Sequence, residues 1–429
     1  MRNNPVLQLA IDLQDLDRAL KVAREAQASV DFIEAGTPLI NSEGMNAVRA
    51  LKSEFPDKSI VADVKIMDAG RTEVEGALKS GADIVSVLAN ASDATIKECV
   101  EAAQNLGGKI LCDLIGVKDP IKRAKQVERL GVDYISVHIA IDEQMAAKQP
   151  FTVLKKITDA VSIPVALAGG INSETASEAV KAGAQIIIVG GAITKAEDAK
   201  KAAAQIRKAI STKRKIKTKL FKRSTDVREI LGRVSTANVS DAMHRAQPLD
   251  GIVSLIPGAK AVGQAVTVRT YPGDWAKPVE AIDEAKKGDV IVIDAGGVGP
   301  ALWGELATTS AVQKKLSGVV VDGAVRDVEE ILKMRFPVFC RLVSPQAGEP
   351  KGLGEIGVPV NVGGVGVKPG DWIIADDDGV LAIPQEKAVE VANRAMDILE
   401  RENRIRKEIK TEKSTLSKVT HLLKWEKKS

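Results

Sequence analysis

The chain has 429 residues, too many for one ordinary core and enough for two domains of roughly 200 residues each. At 45% hydrophobic and 28% charged it reads as globular, and with aromatics at only 3% its cores must be built from Val, Ile, Leu and Ala. A net charge of +4 is small for this size and gives no reason to expect nucleic acid as a partner. Cys99, Cys112 and Cys340 are far apart with no CxxC spacing, so neither a disulfide framework nor a zinc site is expected. The opening apolar run is too short for a signal peptide, and no stretch approaches the roughly 20 apolar residues of a membrane span. A cytoplasmic protein is the expectation.

From residue 5 to about 210 one pattern recurs: a short β-branched run, a turn, then an Ala-, Lys- and Glu-rich helical stretch. The predicted strands are 6–11, 31–34, 59–65, 84–87, 109–114, 134–138, 164–168 and 186–189. Their spacing of about 25 residues suits βα units. Several follow a Gly-x-Asp-like element (Gly81-Ala82-Asp83, Gly131-Val132-Asp133, Gly183-Ala184-Gln185), where glycine ends the preceding helix. Eight such units imply an α/β fold with a parallel (β/α)8 TIM barrel over residues 1–210; an open doubly wound sheet is the alternative.

Residues 211–225 are rich in Lys and Arg and read as an exposed basic linker. Residues 226–400 form a second α/β domain, with strands 290–294, 319–322 and 372–375. Its expected helices are 226–231, 239–245, 300–315, 328–335 and 386–400. The highly charged stretch 401–429 is expected as a helical tail, exposed or contacting another subunit.

In a (β/α)8 barrel the chemistry sits at the C-terminal ends of the strands. There the sequence places Asp12, Glu34, Asp63 with Lys65, and His138. Side chains two apart share a strand face, so Asp63 and Lys65 are expected together, and each would keep the other charged. His138 has a residue type suited to proton transfer near neutrality. Glycine pairs follow strands seven and eight, Gly169-Gly170 and Gly190-Gly191, where backbone N–H groups with a helix N-terminus behind them would cradle a phosphate.

Asp63-Val64-Lys65-Ile66-Met67-Asp68 resembles the DxKxxD signature of the orotidine-monophosphate decarboxylase superfamily. Within it, Leu7 to Asp12 and Ile33 to Leu39 look like the 3-hexulose-6-phosphate synthases. The resemblance implies a dimeric aldehyde-lyase that interconverts ribulose 5-phosphate plus formaldehyde with 3-hexulose 6-phosphate, using Mg2+ or Mn2+. It implies Glu34 and Asp63 as metal ligands, Lys65 stabilising enediolate oxygens, Asp68 reaching the partner's site and His138 moving the proton. Ketogulonate-phosphate decarboxylases, the alternative, resemble His-Arg-Ser-Arg-Asp after the sixth strand, where this chain has His138-Ile139-Ala140-Ile141-Asp142.

In the second half, Asp294-Ala295-Gly296-Gly297-Val298-Gly299-Pro300 ends a strand in a glycine loop, with Pro300 read as the first residue of a helix. Gly296, Gly297 and Gly299 would offer N–H groups to a carboxylate. Glu305, Arg326 and Asp327 are expected nearby, two acids for a divalent cation and one guanidinium for a carboxylate or enolate oxygen. This block is similar to the family named for the regulator of ribonuclease E activity, which also contains 4-hydroxy-4-methyl-2-oxoglutarate aldolases. Its catalytic members carry an acid, twenty intervening positions, then Arg-Asp; Glu305 to Arg326-Asp327 keeps that spacing, with Glu where many members have Asp. The resemblance implies Asp327 holding Mg2+ through water and Arg326 binding the enolate of a 2-oxo acid. It also leaves open a non-catalytic module, either ribonuclease-regulating or oligomerising (a trimer among the options).

Overall fold

The structure is a computed structural model that describes residues 5–146, 151–218, 220 and 223–421; linker positions 219, 221 and 222 and tail positions 422–429 of the expected segments lie outside the described residues. Contacts divide the chain into two compact units, Met1–Lys222 with Glu400–Ser429, and Arg223–Leu399.

In the first unit eight strands close into a barrel in sequence order: β1 (Val6–Ile11), β2 (Phe32–Ala35), β3 (Ser59–Ile66), β4 (Ile84–Leu88), β5 (Lys109–Asp113), β6 (Tyr134–His138), β7 (Val165–Ala168) and β8 (Ile186–Val189). Every pairing is parallel, and β8 returns to β1 through Leu9 opposite Val189. The sheet is closed, so the open alternative is excluded.

The recurring glycine element has a mechanical role. Gly81, Gly131 and Gly183 take φ of 102°, 93° and 101°, which lets the chain leave a helix and turn at once into the next strand. Two residues later, a side chain accepts the N–H that opens the preceding strand: Asp83 from Ile60, Asp133 from Ile110, and Gln185 from Val165, at 2.8–2.9 Å. Asp31 does the same for Leu7 at 2.9 Å. A backbone donor at the bottom rim thereby gains an acceptor.

Alternate strand residues face two different cores. Ala10, Val61, Ile84, Leu111, Ala166 and Ile186 fill the barrel interior, whereas Leu9, Ile33, Ile60 and Val85 pack beneath the helices. Burying each such Leu or Ile contributes about 1.5–3 kcal/mol, which offsets the cost of placing polar groups at one end. At that end the interior turns polar, with Glu34, Asp63, Ser86, Asp113 and Ser136 all buried.

The second unit carries β9 (Val253–Ser254), β10 (Ala261–Thr270), β11 (Val290–Asp294), β12 (Ala301–Trp303), β13 (Gly318–Val325), β14 (Val338–Val343), β15 (Gly354–Ile356), β16 (Val360–Val362), β17 (Val365–Val367), β18 (Trp372–Asp376) and β19 (Gly379–Ile383). The main sheet runs β19-β18-β10-β11-β13-β14-β9, with β12 and β15 paired to β13 and β10, and β16–β17 stands apart. Its centre, β10 to β14 through β11 and β13, is parallel. Covered on both faces, β13 carries Val319, Val320 and Val321 in succession with none accessible.

Four expectations are corrected here. The helix expected from Pro300 begins instead at Glu305, because β12 intervenes. Ala301 and Trp303 pair with Ala324 and Val325, and Ala301 N–H donates to Gln346 O, so strand pairing overrides the proline signal. The helix expected over 386–400 runs over Ala388–Glu412. Finally, the tail is not simply exposed: Arg404 is 5% accessible, its charged head held by Ala196 O and by the carboxylates of Glu25 and Glu408. The linker is tied down as well, since Ile216 N–H donates to Ser173 O and Ser173 Oγ to Ile216 O. Among the described residues no helix is long and apolar enough to cross a membrane.

Candidate active site

Asp63, on β3, gathers three side-chain partners. Ser86 Oγ donates to its Oδ1 at 2.8 Å, Thr37 Oγ1 lies 2.9 Å from Oδ2, and Lys65 Nζ pairs with Oδ2. Lys65 does not arrive there by simple alternation. The β3–β4 register shifts between Ala62 and Ile66, and Lys65 takes a left-handed φ of 58°. Such a backbone costs a non-glycine residue about 1–3 kcal/mol and persists where surrounding bonds impose it. Here Lys65 N–H donates to Ser86 Oγ at 2.9 Å, so one serine anchors both the lysine backbone and the carboxylate it serves.

Asp113 ends β5 and joins this pair to His138. His138 Nδ1 is 2.8 Å from Asp113 Oδ2, Ile115 N–H donates to Oδ1 at 3.0 Å, and Lys65 Nζ lies 3.9 Å from Oδ2. With Asp113 ionised, Nδ1 carries the ring hydrogen and the lone pair is left on Nε2. Sequence reasoning missed Asp113, although a polar residue at the end of a barrel strand is the signal that found Glu34 and His138. Gln8, Thr37 and Ser86 were missed too; such residues are too common in strands and turns to stand out.

Glu34 is buried and accepts Gln8 Nε2 at 2.5 Å. Burial, then the charges of Asp63 and Asp12, push its pKa well above the usual range, against the pull of Gln8 and Lys65. For Asp63 burial also works upward, but the Lys65 charge and the hydrogen bonds from Lys65, Ser86 and Thr37 outweigh it and hold the pKa low. Burial works to lower the Lys65 pKa, yet Asp63, Asp113 and Glu34 raise it on balance. These carboxylates favour the ammonium form of Lys65.

Asp12 follows β1 directly. A Cβ added to Gly36 would lie 2.2 Å from Asp12 Oδ1, so this close approach requires glycine. On the other side, a Cβ at Gly190 would lie 3.4 Å from Asp12 Oδ2. Burial and then Asp63 raise the Asp12 pKa, opposed by Lys65, His138 and Lys195. All these groups therefore share one rim, where four acids face few cations. Oxygen donors with excess negative charge are the ligand type a hard divalent cation takes, although among the described residues only Asp15, Asp17 and His421 bring three ligand atoms within 4.8 Å of one another.

The glycine pairs belong to the same end, after β7 and β8. Gly169 and Gly170 have φ of 101° and 70°. The helices expected behind the pairs are weaker than anticipated: Gly191–Thr194 is one turn, and the helix after Gly170 starts only at Ala176. Lys195, which sequence reasoning passed over, folds back over Gly191, its Nζ 3.1 Å from where a Cβ would stand. Asp68 is exposed, and no described hydrogen bond or ion pair joins it to the cluster within one chain.

In the second unit, Glu305, Arg326 and Asp327 line one open depression of about 500 Å³. Asp327, at φ 60°, accepts Glu305 N–H at 3.2 Å and lies 3.4 Å from Arg326 Nε; the Glu305 carboxylate instead accepts Thr309 Oγ1 at 2.9 Å. Gly296, Gly297 and Gly299 do not line this depression. Gly296 N–H donates to Asp294 at the end of β11 and Gly297 N–H to Asp322 O on β13, so these two donors, expected to be free for an anion, are already engaged.

Comparison with known proteins decides the family of the first half. Residues 5–206 match the family described as orotidine 5′-phosphate decarboxylase / HUMPS. Over 205 residues the chain is 42% identical to the 3-hexulose-6-phosphate synthase of Bacillus subtilis (strain 168), covering 48% of this chain and 98% of that protein. The chain belongs to the 3-hexulose-6-phosphate synthase family. The synthase of Mycobacterium gastri is 41% identical over the same length and 99% covered. A crystal structure of a 3-hexulose-6-phosphate synthase is 41% identical, covering 48% of this chain and 99% of that one, with a TM-score of 0.47. The barrel is thus a synthase-like lyase, and its rim cluster is the place to seek the chemistry. Residues 236–382 match the family described as Aldolase/RraA, and the second unit is an RraA-like α/β domain. The RNA-processing inhibitor RraA of Thermus thermophilis is 33% identical, covering 36% of this chain and 94% of that one, with a TM-score of 0.34.

Proposed function

We propose that the barrel interconverts 3-hexulose 6-phosphate with ribulose 5-phosphate and formaldehyde. The observation that carries this reading is the Asp63–Lys65–Asp113–His138 chain of contacts, which sets a lysine side chain beside an oriented imidazole. In the synthetic direction His138 Nε2 takes a proton from the carbon next to the ketone of ribulose 5-phosphate. Lys65 holds the negative charge that develops on the enediolate oxygens, and the resulting carbanion equivalent adds to the carbonyl carbon of formaldehyde, whose oxygen takes the proton from His138 and becomes the new hydroxyl. In reverse, His138 Nε2 takes the hydroxyl proton as the carbon–carbon bond breaks and formaldehyde leaves, and it then returns that proton to the enediolate carbon. Glu34 and Asp63, with Asp12 adjacent, would hold a divalent cation. Bound there, such a cation supplies Lewis acidity to the substrate oxygens. The glycine pairs would receive the phosphate. Formaldehyde release from hexulose 6-phosphate is expected with Mg2+ or Mn2+ and to vanish with EDTA; undiminished release in EDTA sinks the metal assignment.

For the second unit we infer a lyase acting on a small 2-oxo acid, with Arg326 binding the enolate and Asp327 the cation. The convergence of Glu305, Arg326 and Asp327 on one depression supports it. Oxaloacetate decarboxylation by the full-length protein with Mg2+ is expected, and Asp327→Ala should abolish it without touching formaldehyde release. No turnover of any 2-oxo acid would leave a binding module instead.

A further inference from the structure

The helix Ala388–Glu412 begins among residues of the second unit, and from Glu400 onward the chain counts with the barrel. Its barrel contacts fall on the loop after β8 and on the helix Leu16–Ala26. Arg404 Nη1 donates to Ala196 O at 2.8 Å and Lys407 Nζ to Glu197 O at 2.6 Å. These carbonyls belong to the two residues directly after Lys195. Arg404 is itself locked by Glu25 at 3.1 Å and Glu408 at 2.9 Å, and Glu408 lies 3.8 Å from Arg18. A buried guanidinium with three acceptors is a rigid fixture, because losing any one leaves a charge poorly compensated.

The loop held this way carries the Lys195 ammonium over Gly191, next to Gly190 and within electrostatic reach of Asp12. The neighbouring helix of one turn contributes little field of its own. A dianionic phosphate at the β8 glycine pair would therefore have the Lys195 ammonium beside it, over Gly191. We propose that Lys195 is the phosphate-binding cation of the barrel, and that Arg404 and Lys407 of the C-terminal helix are positioning residues that hold its loop. This rests on the glycine pairs receiving the phosphate, as in the function proposed above.

The test uses the full-length protein, stripped of metal, titrated calorimetrically with inorganic phosphate, alongside steady-state kinetics on hexulose 6-phosphate. Lys195→Met should weaken phosphate binding about tenfold or more, the loss expected for a hydrogen bond to a charged group, and raise KM in step with a smaller change in kcat. Arg404→Ala should weaken phosphate binding in the same sense, with Arg404→Lys partly restoring it. If Arg404→Ala fails to fold, Lys407→Ala, at an exposed residue, decides the helix's part. Unchanged phosphate affinity in Lys195→Met overturns the proposal; a fall in kcat alone there means that Lys195 serves Asp12. Unchanged affinity in the folded helix variants overturns their positioning role. Phosphate titration needs no turnover, so failure of the assigned reaction and failure of the Lys195 role are separate results.

Discussion

Asp63→Ala is expected to lower turnover by about 10²–10⁴-fold, the scale on which positioned acid–base and charge-stabilising groups act. Without that carboxylate, Thr37 and Ser86 lose their shared acceptor and Lys65 is free to swing toward Asp113, which already lies 3.9 Å away. Lys65→Ala should produce a loss of the same size by removing the cation itself. Neither change should unfold the barrel, because β3 is held by Ile60, Val61 and Ala62, all fully buried. Circular dichroism would report the fold and formaldehyde release the activity. Turnover within tenfold of the parent in either variant would falsify the roles given to this pair.

Glu34→Gln should separate stability from function by an opposite route. The folded-state pKa of Glu34 is raised, so the metal-free protein binds more protons than its unfolded chain just above the ordinary carboxylate range. Its stability should therefore fall as pH rises through that window toward the Glu34 value. Asp63 has the opposite sign: its lowered pKa means stability present above the ordinary range and lost as pH falls below it. Glutamine keeps the bond to Gln8 but carries no charge, so the metal-free variant should lose the decline on the neutral side. It should also lose most of the thermal stabilisation that Mg2+ gives the parent, and with it activity. Thermal melts across acid to neutral pH, with and without Mg2+, read all three. A Glu34→Gln protein still stabilised by Mg2+ as strongly as the parent would remove Glu34 from the cation site.

Much of the barrel was legible because its signals are local. The two-residue alternation of β-branched strands, the glycine before several of them and the polar residues at or near some strand ends are all properties of short segments. Glu34, Asp63 and His138 could be picked out on that basis. Asp113 obeyed the same rule and was missed because its worth lies in a neighbour on the next strand, His138, 25 positions away. In the second unit, the Arg326-Asp327 spacing was readable, whereas engagement of the Gly296 and Gly297 amides was not, since their acceptors lie outside the glycine run or depend on how it curls back.

The amino-acid order by itself determined eight βα units, their closure as the favoured solution and the end of the barrel that carries charge, because periodicity and strand polarity are written residue by residue. Only the tertiary structure decided how those charges meet. The register shift in β3 turns Lys65 onto Asp63, barrel closure sets Asp113 against His138, and a helix from the far end of the chain buries Arg404 against the β8 loop. Each of these depends on distances between segments remote in sequence, which hydrophobic patterning does not encode but packing and hydrogen-bond satisfaction do.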